Sequence, residues 1–223
     1  MKIGVIGSGI VGQTVGGKLA ELGHSVVLGT RDPAKLDEKK GYAPSLREWL
    51  AGVGPDVRLG TFAEAAAHGE VVINALLGLV SVEVLQPLAA SLDGKLLIDI
   101  SNPLDFSRGM PPAVVTYEGG ASLAEAIQRV LPGAHVVKTF NTLTASLMVN
   151  PGQLAGGDHS VFLSGDDAAA KAQTTEILRS FGWRDIIDLG GLNTARGVEM
   201  MMPMWLQLFG LFGQPLYNFK VVR

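Results

Sequence analysis

No cysteine occurs anywhere in the 223 residues, which removes disulfides, thiolate nucleophiles and cysteine-ligated metals together. A chain of that kind suits a reducing cytoplasm, the location expected for it. Histidine is scarce: His24, His68, His135 and His159 stand at no metal-ligand spacing and in no Ser-His-Asp pattern, so neither a metal site nor a hydrolytic triad is expected. Charge is scarce as well, with 18 Lys plus Arg against 21 Asp plus Glu. A net charge of −3 offers no general attraction to nucleic acid or anionic lipid, and no nucleic-acid partner is expected. The longest uncharged run, Met200 to Phe219, approaches the roughly 20 apolar residues that cross a bilayer. Pro203, Gln207, Gln214, Pro215 and Asn218 interrupt it and the chain offers no second candidate, so we expect a buried or interface segment and no membrane span. A first strand beginning at Lys2 leads us to expect no signal peptide.

What is present is length and rhythm. A chain of this size buries roughly 70% of its unfolded surface and needs no staple to fold. Short β-branched runs, "KIGVI", "SVVL", "DVRL", "EVVINA", "KLLIDI" and "HVVK", alternate with segments of helical spacing, as in βαβ units around a parallel sheet. Val11, Val15, Leu19 and Leu22 mark the first helix, with Gly23 placed to end it. Thr61 and Glu64 have the spacing of a capping box before an alanine-rich helix. After Asn150 the texture changes: a loop, the strand "SVFLSG", a helix over Asp167 to Phe181, the strand "RDIIDLG" and a methionine-rich helix. We therefore expect a domain over residues 1–150 and a smaller α+β unit over residues 151–223.

"GSGIVG" sets Gly7, Gly9 and Gly12 in G-x-G-x-x-G spacing, directly after a strand and at the mouth of a helix. Gly7 permits the tight turn, Gly9 lets a pyrophosphate approach the backbone, and Gly12 lets helix and strand pack closely. The helix N-terminus supplies free N–H donors to the anion. The expected fold is thus α/β, an N-terminal Rossmann domain with a doubly wound parallel sheet.

One acid is missing where such a site often has one. About twenty residues after Gly7 the second strand ends in Gly29, Thr30 and Arg31, where an NAD site carries Asp or Glu for the ribose 2′-hydroxyl. A hydroxyl followed by a guanidinium suits a 2′-phosphate, because Arg donates two parallel charge-assisted hydrogen bonds and stacks on adenine. Lys35 adds a point charge from the following turn, and Asp32, with Pro33 behind it, reads as a turn residue. NADP is the cofactor these residues predict.

The other strands end in "NALLG", "DISNP" and "VKTFNT", which puts Leu76, Leu77, Ser101, Asn102, Pro103 and Asn141 on the same rim. The apolar residues suit a nicotinamide face, and Asn102 or Asn141 suits its carboxamide, although either Asn reads equally well as a turn residue. None of the four histidines falls on this rim, so no side chain is assigned a catalytic role. Alcohol dehydrogenation needs a group that takes the hydroxyl proton. Without one, a small-molecule acceptor that exchanges hydride directly with nicotinamide, as flavin-like rings do, is favoured.

"MKIGVIGSGIVGQTVGGKLAELGHSVVLGTRDPAK", "VVKTFNT" and "DLGGLNTARGVE" together resemble the F420-dependent NADP oxidoreductase family over nearly the whole chain. That family includes the reductase domain of the Steap metalloreductases. The resemblance implies that Gly7, Ser8, Gly9, Ile10 and Val11 form the pyrophosphate loop, that Thr30 and Arg31 contact the 2′-phosphate, and that F420, FMN or FAD accepts the hydride. An NADPH-binding sensor without turnover is the alternative from another class. An imine or hydroxyacid reductase is disfavoured because only about seventy residues follow Asn150. Finally, Met200, Met201, Met202, Met204, Trp205, Leu206, Leu208, Phe209, Leu211 and Phe212 cover too much of a helix for one stripe. A homodimer is expected, with this helix at or near the interface and walling the acceptor pocket.

Overall fold

The computed structural model describes residues 1–39, 41 and 43–223. Alternating side chains on each strand feed two separate cores. In β1 (Lys2–Ile6), Ile3 and Val5 enter one core and Ile6 the other. Helix α1 (Ile10–Glu21) covers the first core with Val15 and Leu19, and a positive φ at Gly23 follows its C-cap Leu22. β2 (Ser25–Thr30) repeats the alternation, Val26 and Leu28 facing α1 while Val27 faces away. Helix α2 (Leu46–Gly52) starts at a Ser45–Glu48 capping box, and β3 (Val57–Thr61) runs into α3 (Phe62–His68) through the Thr61–Glu64 box expected at that spacing. β4 (Val71–Asn74), α4 (Gly78–Leu85), α5 (Ala89–Leu92) and β5 (Leu96–Asp99) follow.

A two-stranded hairpin, β6 (Leu104–Asp105) with β7 (Ala113–Val114), projects after β5. Helix α6 (Leu123–Val130) then leads into β8 (His135–Thr139) and α7 (Ala145–Val149). β9 (Ser160–Gly165), α8 (Ala168–Ser180), β10 (Asp185–Asp188), α9 (Ala195–Met200) and α10 (Met202–Phe212) complete the chain. The methionine-rich run is therefore two helices, broken at Met201 with Pro203 in the first turn of the second.

The main sheet has the order β10-β9-β8-β5-β4-β1-β2-β3. Its section β3-β2-β1-β4-β5-β8 is entirely parallel and has the Rossmann order, with β1 at the point where the order reverses. β9 pairs antiparallel with β8, and β10 parallel with β9, so residues after Asn150 extend the same sheet. Side chains from α1, α7 and α8 fill one core, and side chains from α3, α4, α5 and α6 fill the other. Among the described residues no helix is long and apolar enough to cross a membrane.

Candidate functional site

The strand order reverses at β1, and the glycine loop follows the carboxyl end of that strand, where open α/β sheets place their ligands. Gly7 has φ of +119°, and a Cβ there would stand 2.4 Å from the Ala75 carbonyl oxygen. A Cβ on Gly12 would stand 1.9 Å from the Gly7 carbonyl oxygen, so α1 meets the loop at backbone contact. At Gly9 the same atom would meet nothing within 4 Å, which leaves open space over the loop. Gly9 is also the N-cap of α1, and no side chain caps that end. Open room above uncapped amide donors fits a pyrophosphate. Ser8 is buried in the loop, while Ile10 is exposed and Val11 half-buried behind it.

At the ribose end, Thr30 is buried at the last position of β2, and Arg31 and Lys35 are exposed just beyond it. Among the described residues no carboxylate stands within ion-pair distance of Arg31. The Asp32 carboxylate accepts from the Ala34 amide at 3.0 Å, and its carbonyl from the Lys35 amide at 3.2 Å. Asp32 thus closes its own turn, as its position before Pro33 suggests, and shapes the loop that carries Lys35.

Leu76 and Leu77 follow β4, and Leu77 is 74% exposed. Ser101 and Pro103 are buried beyond β5, with Asn102 half-buried between them. Asn141, beyond β8, meets Asn102 face to face. Asn102 Nδ2 donates to the Asn141 backbone carbonyl at 2.7 Å, and Asn141 Nδ2 to Asn102 Oδ1 at 3.1 Å and to the Val198 backbone carbonyl at 2.9 Å. The two candidates for a carboxamide partner are thus one bonded pair.

Sequence reasoning missed two groups here. Gln13, 3% exposed, donates from Nε2 to the Ser8 and Pro44 carbonyls, each at 3.1 Å, and its backbone carbonyl accepts from Trp49 Nε1 at 3.1 Å. It ties the glycine loop to Pro44 and to Trp49 on α2. The second group lies under the rim: Lys138, Asp99 and Glu199, all buried, with Asn74 alongside. Burial pulls the Lys138 ammonium toward its neutral form, but the Asp99 and Glu199 carboxylates outweigh that and hold its pKa above the ordinary lysine value. The signal was available in "LLIDI" and "VVKTF", each with a charged residue inside an apolar strand.

Sheet order, glycine loop and terminal guanidinium fit the class of NADP-dependent oxidoreductases, and the chain is one of them. A family model described as NADP oxidoreductase, coenzyme F420-dependent, matches residues 2–103. A solved protein of Arthrobacter sp. FB24, provisionally assigned as an F420-dependent NADP reductase, is 52% identical, with full coverage of both chains and a TM-score of 0.93. The F420-dependent NADP reductase of Methanocaldococcus jannaschii is 25% identical over 209 residues, 93% of this chain and 92% of that protein. Metalloreductase STEAP3 of Rattus norvegicus is 31% identical over 220 residues, 95% of this chain but 40% of that longer protein. The chain belongs to the F420-dependent NADP oxidoreductase family.

Proposed function

We propose that the protein transfers hydride between NADPH and a ring of the flavin type, the deazaflavin F420 or a flavin such as FMN or FAD, docked between the strand-end rim and the C-terminal helices. What supports this reading is a set of exposed apolar side chains on elements that follow or pack beside the strand ends. Leu77 and Leu79 at the start of α4, Phe106 and Met110 on the β6–β7 hairpin and Met204 on α10 are all exposed, and α4 packs on β6 as α10 packs on β7. A planar ring with large apolar faces gains from such cover, and hydride passes best where water is excluded.

In this reading Gly7, Ser8, Gly9, Ile10, Val11 and Gly12 cradle the pyrophosphate, and Thr30, Arg31 and Lys35 hold the 2′-phosphate. Bound NADPH supplies a hydride at its nicotinamide ring. Leu76 and Leu77 cover that ring, while Ser101, Asn102, Pro103 and Asn141 fix its position. Both amide nitrogens of the Asn pair are engaged, which leaves Asn141 Oδ1 to accept from a carboxamide. Residues 1–150 then serve the dinucleotide and residues 151–223 the acceptor side. Two copies pair through α10, and the absence of cysteine suits reaction in a reducing cytoplasm.

The deciding experiment is an NADPH oxidation screen with F420, FMN, FAD and ferric chelates as acceptors, with bound ligands identified after native purification. Turnover with F420 or a flavin is expected. Tight NADPH binding with no turnover on any of them would overturn the proposed reaction.

A further inference from the structure

Beneath the rim lies a buried charge cluster that the reading above does not use. Lys138 on β8 stands in register with Asp99 on β5. Its ammonium donates to Asp99 Oδ2 at 2.8 Å, Glu199 Oε1 at 2.8 Å and the Ser101 carbonyl at 2.6 Å, which uses all three of its N–H donors. The Lys138 and Asp99 side chains are fully buried, and that of Glu199 is 4% exposed. Asp99 Oδ1 accepts from Ser101 Oγ at 2.6 Å, Asn74 Nδ2 at 2.8 Å and the Ser101 amide at 3.2 Å. Glu199 reaches from α9 to the first turn of α6, accepting from the Leu123 amide at 2.8 Å and the Ala124 amide at 3.3 Å, where the helix dipole favours an anion.

Stability alone is a weak reason for such a cluster, since apolar replacements of buried ion pairs are often neutral or stabilising. Apolar side chains cannot give direction. One ammonium here fixes the Ser101 carbonyl, and with it the turn that carries Asn102 and Pro103, and also fixes Glu199 on α9. A second tie lies one residue away, where Asn141 bonds both Asn102 and the Val198 carbonyl. If the Ser101 turn moved without α9, a buried ammonium would lose a partner in a place no water can supply one.

We infer that Lys138 and Glu199 are positioning residues that join the cofactor rim to α9 and α10, so that a dinucleotide seated on the rim sets the order of the C-terminal helices. The coupling rests on NADP binding at the rim; only its effect on turnover rests on the proposed acceptor reaction.

Hydrogen exchange of the whole protein, free and saturated with NADP⁺, tests this. In the native protein NADP⁺ is expected to slow exchange over residues 195–212 by about threefold or more. In Glu199→Gln that slowing disappears, while NADPH affinity, set by the glycine loop and Arg31, stays within about threefold. With whichever acceptor turns over, kcat of the variant falls about tenfold and KM for NADPH changes little. Unchanged exchange over 195–212 in the native protein on saturation with NADP⁺ overturns the coupling, and so does a folded Glu199→Gln that keeps the slowing in full. If Glu199→Gln fails to fold, the native comparison still decides. If no acceptor turns over, the proposed reaction falls while the exchange arm stands.

Discussion

Arg31 and the three loop glycines are the single residues on which the proposed NADPH site can be tested. An exposed guanidinium with no carboxylate near it among the described residues is available for a 2′-phosphate, and a hydrogen bond to a charged group contributes about 1.5 to 3 kcal/mol. Arg31→Ala is therefore expected to weaken NADPH binding by roughly tenfold to a hundredfold and leave NADH binding nearly as it was. Titration of both cofactors checks it, and equal affinities for the two in the native protein would remove the basis of the assignment. The glycines predict a contrast. A side chain at Gly9 enters open space, so Gly9→Val should keep the circular dichroism and melting of the native protein yet lose NADPH binding. A side chain at Gly12 strikes the Gly7 carbonyl, so Gly12→Val should melt at a lower temperature even without cofactor. A Gly9 variant that binds NADPH normally would reduce that residue to a turn former. The tight turn at Gly7 and the close approach at Gly12 were legible in the sequence, because each depends on backbone geometry that spacing alone encodes. The Lys138 cluster was legible only as a charge inside each of two apolar strands, and its assembly was not, because its members are joined by tertiary pairing: Lys138 meets a carboxylate 39 positions away.

Helices α6 and α9 form the next level, and their junction titrates. Arg196 on α9 donates to Glu125 on α6 from Nε at 2.8 Å and from Nη2 at 2.6 Å. That paired hydrogen bond, with help from Ser122, draws the Glu125 pKa down to about 2. A carboxylate whose folded pKa lies below its unfolded one stabilises the fold above the unfolded value and loses that contribution as pH falls through the folded value. The Glu125 contribution is thus complete above about pH 4.5 and lost toward about pH 2. Arg196→Met, which leaves the Ser122–Glu125 capping box in place, should have a lower urea midpoint than the native protein at pH 7, and most of the gap should be gone at pH 2. A gap of the same size at both values would mean that Arg196 contributes through packing alone. Much of this level could be read in advance: the strand runs, the Thr61 box and the helix after Asp167 follow from local patterns. The direction of β9 could not, because whether a strand after a long connection returns parallel or antiparallel depends on where its neighbours lie. The break at Met201 escaped notice too, since an apolar run masks the point where one helix axis gives way to another.

For the whole molecule, the open question is what covers α10. The width of its apolar face requires a second surface, and among the described residues of one chain that surface is missing: Met204 is 54%, Leu211 75% and Phe212 51% exposed, and of the helix only Met202 is buried. Exposed apolar patches on soluble proteins mark contact sites, and methionine adapts to irregular partners. A symmetric pair of chains offers each helix the same patch in return and closes the contact. Trp205 is a poor probe of that contact, because it already stacks on Phe209 with ring centroids 5.8 Å apart and lies 5.2 Å from Tyr217. Leu211 is a better one, since at its exposure a charge there disturbs nothing within the chain. The native protein is expected to sediment as a dimer at micromolar concentration, and Leu211→Lys as a folded monomer that still binds NADPH at a glycine loop far along the chain from α10. Native protein that sediments as a monomer, or a Leu211→Lys variant that remains a dimer, would mean that α10 meets some other surface and that the pairing of chains has to be sought elsewhere.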